Sequence, residues 1–161
     1  MVSVIMEDYL KAIYYLQWNS NRARVRTSEL AAHLNVTSPT VSSMYTNLSE
    51  RGLIEHKKYK GAVLTTEGEQ IALNVLRNYW LIEAYLTTEF DYQLNEVGDE
   101  ADVLEHHLSD RLANALTETL GRPDRTLHGE SVPRPSLESS ALHRSDFLAR
   151  AAKNRSSTPE Q

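Results

Sequence analysis

Residues 27–64 form the most tightly punctuated stretch of the chain, and few folds accommodate it. In "TSELAAHL" the apolar Leu30, Ala31 and Leu34 recur at helical spacing behind Thr27, a residue type that caps helices, so an amphipathic helix is expected there. "NVTSPT" leaves room only for a short turn, after which Ser38 offers a cap and Pro39 a proline at the first helical position. Val41, Met44 and Leu48 line one face of the next helix, and Thr40, Ser43, Asn47 and Arg51 another, until Gly52 ends it. "LIEHKKYKGAVLTTEG" then changes period from helix to strand, with a turn at Tyr59-Lys60-Gly61. Helix, short turn, capped helix and basic two-stranded hairpin, in that order, predict a winged helix-turn-helix. In such a unit the second helix enters the major groove of DNA while the first crosses the backbone.

Around this unit the chain reads as mainly α, the hairpin being its only β element. An apolar-rich helix is expected over 4–18, with Asp8 set among Ile5, Ala12 and Tyr15. Thr66-x-x-Glu69 has the form of a capping box and would start a long helix to about residue 89. "DVLEHHLSD" is expected inside a further helix ending near Leu120, because Leu104, Leu108, Leu112 and Leu116 follow at intervals of four. From Gly121 prolines and serines dominate, consistent with an extended segment and one short helix over 145–153. The expected domains are a winged helix-turn-helix at 1–66, a helical dimerisation and metal-sensing domain at 67–136, and a tail at 137–161.

Charge separates two tasks. The 161-residue chain has a net charge of −5, yet residues 1–77 hold nine Lys and Arg against seven Asp and Glu, whereas Glu83 to Asp110 holds nine acids and no Lys or Arg. A basic front suits an anionic partner and an acidic middle suits a cation. Double-stranded DNA is the anion expected for Arg26, Thr27, Ser38, Pro39, Thr40, Ser42, Ser43, Asn47 and Arg51, together with Lys57, Lys58, Tyr59 and Lys60 of the hairpin. Arg22 and Arg24 are further candidates for phosphate contacts. The bland alternative is an ordinary packing unit with a solvated lysine loop.

On a helix, Asp102, Glu105 and His106 are neighbours, bordering the leucine stripe. They read as a solvated polar face, an acid/base pair or a ligand set for a divalent cation. With no cysteine in the chain, a cation held by carboxylates and one imidazole would be Mn²⁺ or Fe²⁺. One helix face cannot complete its coordination, and Asp8 is the leading additional ligand; His107 points elsewhere. A catalytic reading lacks support, since no His-Glu-x-x-His, glycine-rich phosphate loop or nucleophile elbow occurs. The two rivals are a winged-helix regulator sensing an organic ligand at Tyr79, Trp80 and Tyr85, and a metal-dependent hydrolase. No apolar run reaches the ~18 residues of a membrane span, and the N-terminus lacks a secretory pattern, so a cytoplasmic location is expected.

The segments "MEDYLKAIYYL", "TSELAAHLNVTSPTVSSMYTNLSERGLI", "YKGAVLTTEG", "EADVLEHHLSD" and "HGESVPRP" together resemble the diphtheria-toxin-repressor family of metal-dependent transcription regulators, over about residues 4–135. The resemblance implies a homodimeric repressor whose bound metal orders the first helix and spaces two recognition helices for a palindromic operator near metal-uptake genes. It places the principal ligands at Asp8, Asp102, Glu105 and His106. Asp8 matches manganese-responsive members, and Asp102 stands where iron-responsive members carry cysteine and manganese-responsive ones usually glutamate. Lys11 replaces a second first-helix carboxylate. Tyr79 and Gly98 replace histidines of a neighbouring second site, leaving Glu83, with Glu96, Asp99 and Glu100 as a possible substitute set. The chain is expected to be the short form, without an SH3-like domain.

Overall fold

The computed structural model describes residues 2–20 and 23–121; the tail expected at 137–161, the short helix at 145–153 and Arg22 lie outside the described residues. The order of elements is α1 (Val4–Asn19), α2 (Thr27–Leu34), α3 (Ser38–Glu50), β1 (Ile54–Lys57), β2 (Gly61–Leu64), α4 (Thr66–Phe90), α5 (Val97–Leu104) and α6 (Asp110–Thr119). It is the mainly α architecture with one hairpin that the sequence implies. Two compact units divide within α4, between Ala72 and Leu73.

In the first unit the core gathers Leu10 and Ile13 from α1, Leu30 from α2, Val41, Tyr45 and Leu48 from α3, and Ile54 and Ala62 from the hairpin, all at most 2% exposed. The turn between α2 and α3 is short because Asn35 adopts a left-handed conformation (φ 55°) and the Val36 amide bonds back to the Ala31 carbonyl at 3.0 Å. Gly52 closes α3 similarly, at φ 71°, with the Leu53 amide returning to the Leu48 carbonyl.

The helix starts fall one residue earlier than expected. Thr37, not Ser38, caps α3, its hydroxyl accepting from the Thr40 amide at 3.4 Å. Arg26, not Thr27, precedes α2 in extended conformation, and its amide donates to the Glu29 carboxylate at 2.9 Å. At α4 the cap is Thr65 rather than Thr66: its hydroxyl accepts from the Gly68 amide at 3.2 Å and donates to the Gly52 carbonyl at 2.8 Å. The second of these contacts is tertiary, which is why local spacing alone misassigns the cap.

β1 and β2 pair antiparallel from Ile54↔Leu64 to Lys57↔Gly61. Val25 adds a third, single-residue rung by exchanging both backbone bonds with Ala62, at 2.8 and 2.9 Å. Gly61, at φ 89°, is required here, because a β-carbon would overlap the Val25 carbonyl.

The second unit contains the rest of α4 with α5 and α6. Leu81, Ala113 and Leu116 form a buried cluster with Tyr85, Leu108 and Leu120 packed on it. Tyr85 also meets Phe90 edge-on, and Trp80 is 6% exposed, so both aromatics serve the fold rather than an open organic-ligand pocket. The single helix expected from Asp102 to Leu120 is two. After Leu104 the chain tightens into a turn, with the His107 amide bonding the Leu104 carbonyl, and Ser109 becomes extended (ψ 154°) to cap α6 by accepting from the Leu112 amide. Ser109-Asp110 is a helix-start signal that the leucine spacing masked. The stripe is correspondingly broken: Leu116 is buried, but Leu112 is 48% exposed.

Candidate nucleic-acid interface and metal centre

On α3 the sequence alternates by face. Val41, Tyr45 and Leu48 are buried, which turns Ser38, Pro39, Thr40, Ser42, Ser43, Asn47 and Arg51 outward, all exposed. Thr46 shares that exposure and was not anticipated. Tyr45 anchors the helix by donating from its buried hydroxyl to the Val25 carbonyl at 3.0 Å, and burial raises its pKa. Of the outward side chains, Asn47 and Arg51 are joined, Arg51 Nε donating to Asn47 Oδ1 at 2.9 Å.

The hairpin tip presents Lys57, Lys58, Tyr59 and Lys60, all exposed, with Tyr59 91% exposed at φ 65° and Lys58 Nζ 5.3 Å from its ring. Arg26 is exposed and Thr27 half-buried at the start of α2. Arg24 has a structural job besides the phosphate contact its charge suggested. Its guanidinium donates to the carbonyls of Glu55 (3.3 Å) and Gly61 (3.1 Å), binding both strands of the hairpin together. A cationic side chain in the segment before α2 gives no sequence signal for such a clamp.

The acidic stretch resolves into unlike positions. Asp102 is exposed on α5, Glu105 is the residue after the last turn of α5 and is 1% exposed, and His106 lies in the turn that follows. Glu105 Oε1 and His106 Nε2 are 3.2 Å apart, with both side chains at most 3% exposed. Contrary to expectation, they do not share one continuous helix face with Ser109; they lie side by side in the turn at 105–107. Glu83 is buried on α4, whereas Glu96, Asp99 and Glu100 are exposed. Asp8 lies in the second turn of α1, in the first unit.

An ionised carboxylate taken out of water costs several kcal/mol unless positive charge and hydrogen bonds offset it. Beside Glu105, Asn78 is 4% exposed; its Nδ2 donates to the Glu105 carbonyl at 3.1 Å, and its buried Oδ1 meets no protein donor among the described residues. A buried carboxylate beside an imidazole nitrogen, with no sulfur, fits an oxygen-preferring divalent cation. Asn78 had not been anticipated, and a lone asparagine in a helix carries no signal that would have found it.

Comparison with known proteins agrees with this division of labour. Residues 1–62 match the family described as "Iron dependent repressor, N-terminal DNA binding domain", and residues 65–134 match "Iron dependent repressor, metal binding and dimerisation domain". The chain is 31% identical over 123 residues to the HTH-type transcriptional regulator MntR of Lysinibacillus sphaericus, covering 74% of this chain and 86% of that protein. It is 32% identical over 130 residues to the diphtheria toxin repressor of Corynebacterium glutamicum, covering 79% of this chain but 55% of that protein. A manganese-dependent transcriptional repressor solved in complex with manganese superposes with a TM-score of 0.69 at 36% identity, over 83% of this chain and 60% of the other. ScaR with bound Zn²⁺ gives 0.71 at 32% identity, over 81% and 60%. Among the described residues no helix is long and apolar enough to cross a membrane.

Proposed function

Because the chain belongs to the iron-dependent repressor family, the diphtheria-toxin-repressor group of metal-dependent transcription regulators, we propose that it is a Mn²⁺- or Fe²⁺-dependent repressor of metal-uptake genes. It acts as a homodimer on a palindromic operator in the cytoplasm and is not an enzyme. Two α3 helices enter successive major grooves, and the lysines of the hairpin tip lie against phosphates. Exposed apolar side chains of the second unit, Phe90, Leu94, Val103 and Leu112, supply surface that a second copy would cover.

The metal ligands are Asp8, Asp102, Glu105 and His106. When bound, the cation supplies positive charge that offsets carboxylate repulsion and burial. The residues do the rest: Glu105 and His106 offer a preformed pair, and Asp8 extends the set onto the helix that leads the DNA-reading unit. Ligation by Asp8 then biases how that unit is held, a coupling of about 1–3 kcal/mol in typical allosteric regulators. Carboxylate-rich coordination favours Mn²⁺ first and Fe²⁺ second. The observation that carries this reading is the buried Glu105–His106 pair, on a chain whose α3 and hairpin tip present a polar and basic face.

Operator binding measured across a series of divalent metals tests it, with Asp8→Ala and His106→Ala alongside. The wild type should bind tightly only with metal, Mn²⁺ or Fe²⁺ being most effective, and both variants should lose that response. Unchanged metal dependence in both variants would overturn the ligand assignment. Binding indifferent to chelator and to restored metal would favour an organic effector.

A further inference from the structure

α4 delivers Asn78 to the end of α5, where the Glu105 carbonyl needs a donor. In a continuous helix the Ser109 amide would supply it, but Ser109 is extended to cap α6. Asn78 Nδ2 takes that place at 3.1 Å. Since a carbonyl only accepts, this contact fixes which atom of the amide is nitrogen and turns Oδ1 the other way. That oxygen is buried and meets no protein donor among the described residues. A buried acceptor left without a donor costs about 1–3 kcal/mol, so its persistence on a side chain that holds the Glu105 backbone calls for a partner.

We propose that Asn78 is a positioning residue of this metal centre, whose Oδ1 accepts a hydrogen bond from a water carried by the bound ion and so sets which ions the centre prefers. The inference rests on the metal-centre reading above and deepens it. The amide is neutral and cannot replace a carboxylate in balancing charge, but it rewards an ion that keeps a water ligand. Mn²⁺ and Fe²⁺ in oxygen-rich sites have the coordination number for that water, whereas Zn²⁺ in protein sites favours four ligands and can dispense with it. Asn78 also holds the Glu105 backbone, so one side chain serves both the helix end and the ion.

The test compares Mn²⁺ and Zn²⁺ affinities of the full chain by competition with a chelating dye, alongside the melting temperature of the metal-free protein. Asn78→Leu, which keeps the volume and removes both polar contacts, should weaken Mn²⁺ by about tenfold to a hundredfold, as loss of a hydrogen-bonding partner around a metal typically does, and leave Zn²⁺ little changed. Asn78→Asp keeps an acceptor oxygen but loses the donor to Glu105; it should melt lower and still prefer Mn²⁺. Equal weakening of both ions in Asn78→Leu, or an Asn78→Asp variant that loses the preference, would show a role in the helix end alone and overturn the proposal. His106→Ala separates the two levels of the argument. If that variant binds both ions like the wild type, the centre itself is wrong, and the role of Asn78 falls with it.

Discussion

The Tyr79 hydroxyl lies 3.2 Å from where a β-carbon on Gly98 would sit, so the two residues occupy one space. Both positions are those at which the resemblance places histidines of a second metal site, and here one is large and the other has no side chain. Gly98 is in the first turn of α5 without a positive φ, so its replacement by alanine is limited by that contact and not by backbone strain.

Gly98→Ala should therefore gain less than the ~0.5–1 kcal/mol of helix propensity in the wild type, and recover it when Tyr79 is also changed to phenylalanine. A double-mutant cycle by urea unfolding reads the coupling. The same pairing predicts one Mn²⁺ per protomer by titration calorimetry. Two ions would instead bring Glu83, with Glu96, Asp99 and Glu100, into a second site.

Arg24 and Lys58 should fail differently. Arg24→Met releases the clamp on the hairpin and should lower operator affinity while leaving its salt dependence nearly unchanged. Lys58→Ala removes a proposed phosphate contact and should reduce the slope of log affinity against log salt by about one per protomer bound. Fluorescence anisotropy at several salt concentrations distinguishes them; the reverse assignment of slopes would mean that Arg24 reaches DNA.

Thr65→Ala should destabilise the protein by about 1–2 kcal/mol, losing a cap and the bond to the Gly52 carbonyl, while Thr66→Ala, one residue away and exposed, should cost little. Thermal unfolding of the two variants decides which threonine starts α4.

His33 stacks on Tyr15 at 5.2 Å, and partial desolvation of this otherwise exposed side chain lowers its pKa from the usual 6.5. The folded state therefore takes up its proton less readily than the unfolded state. The contribution of neutral His33 is intact above about pH 6.5 and is lost as pH falls from there through the folded value. His33→Gln should flatten the fall in melting temperature across that interval, and an unchanged pH profile would exclude the stack as its source.

How legible the molecule was depends on the range of the forces concerned. Local periodicity, Pro39, Gly52 and the turn at Tyr59-Lys60-Gly61 specify α2, α3 and the hairpin, because helix and strand period, proline geometry and glycine freedom act within a few residues. The outward face of α3 follows from the same periodicity, and its polar and basic chemistry could be read in advance. The family motifs added the proposed ligand positions, which spacing alone left open between a solvated face and a site.

Tertiary structure decided what depends on partners distant in sequence. Thr65 caps α4 because it also reaches the Gly52 carbonyl, Arg24 clamps two strands more than thirty residues away, and Asn78 meets Glu105 only once α4 and α5 pack. The break at Ser109 belongs to both levels: its capping signal was in the sequence, but the leucine spacing outweighed it until burial showed Leu112 turned to solvent. The chain by itself thus determined which elements form and what charge they carry. Packing determined which polar groups are buried, and the burial of Glu105 and Asn78 beside His106 is what supports the proposed centre.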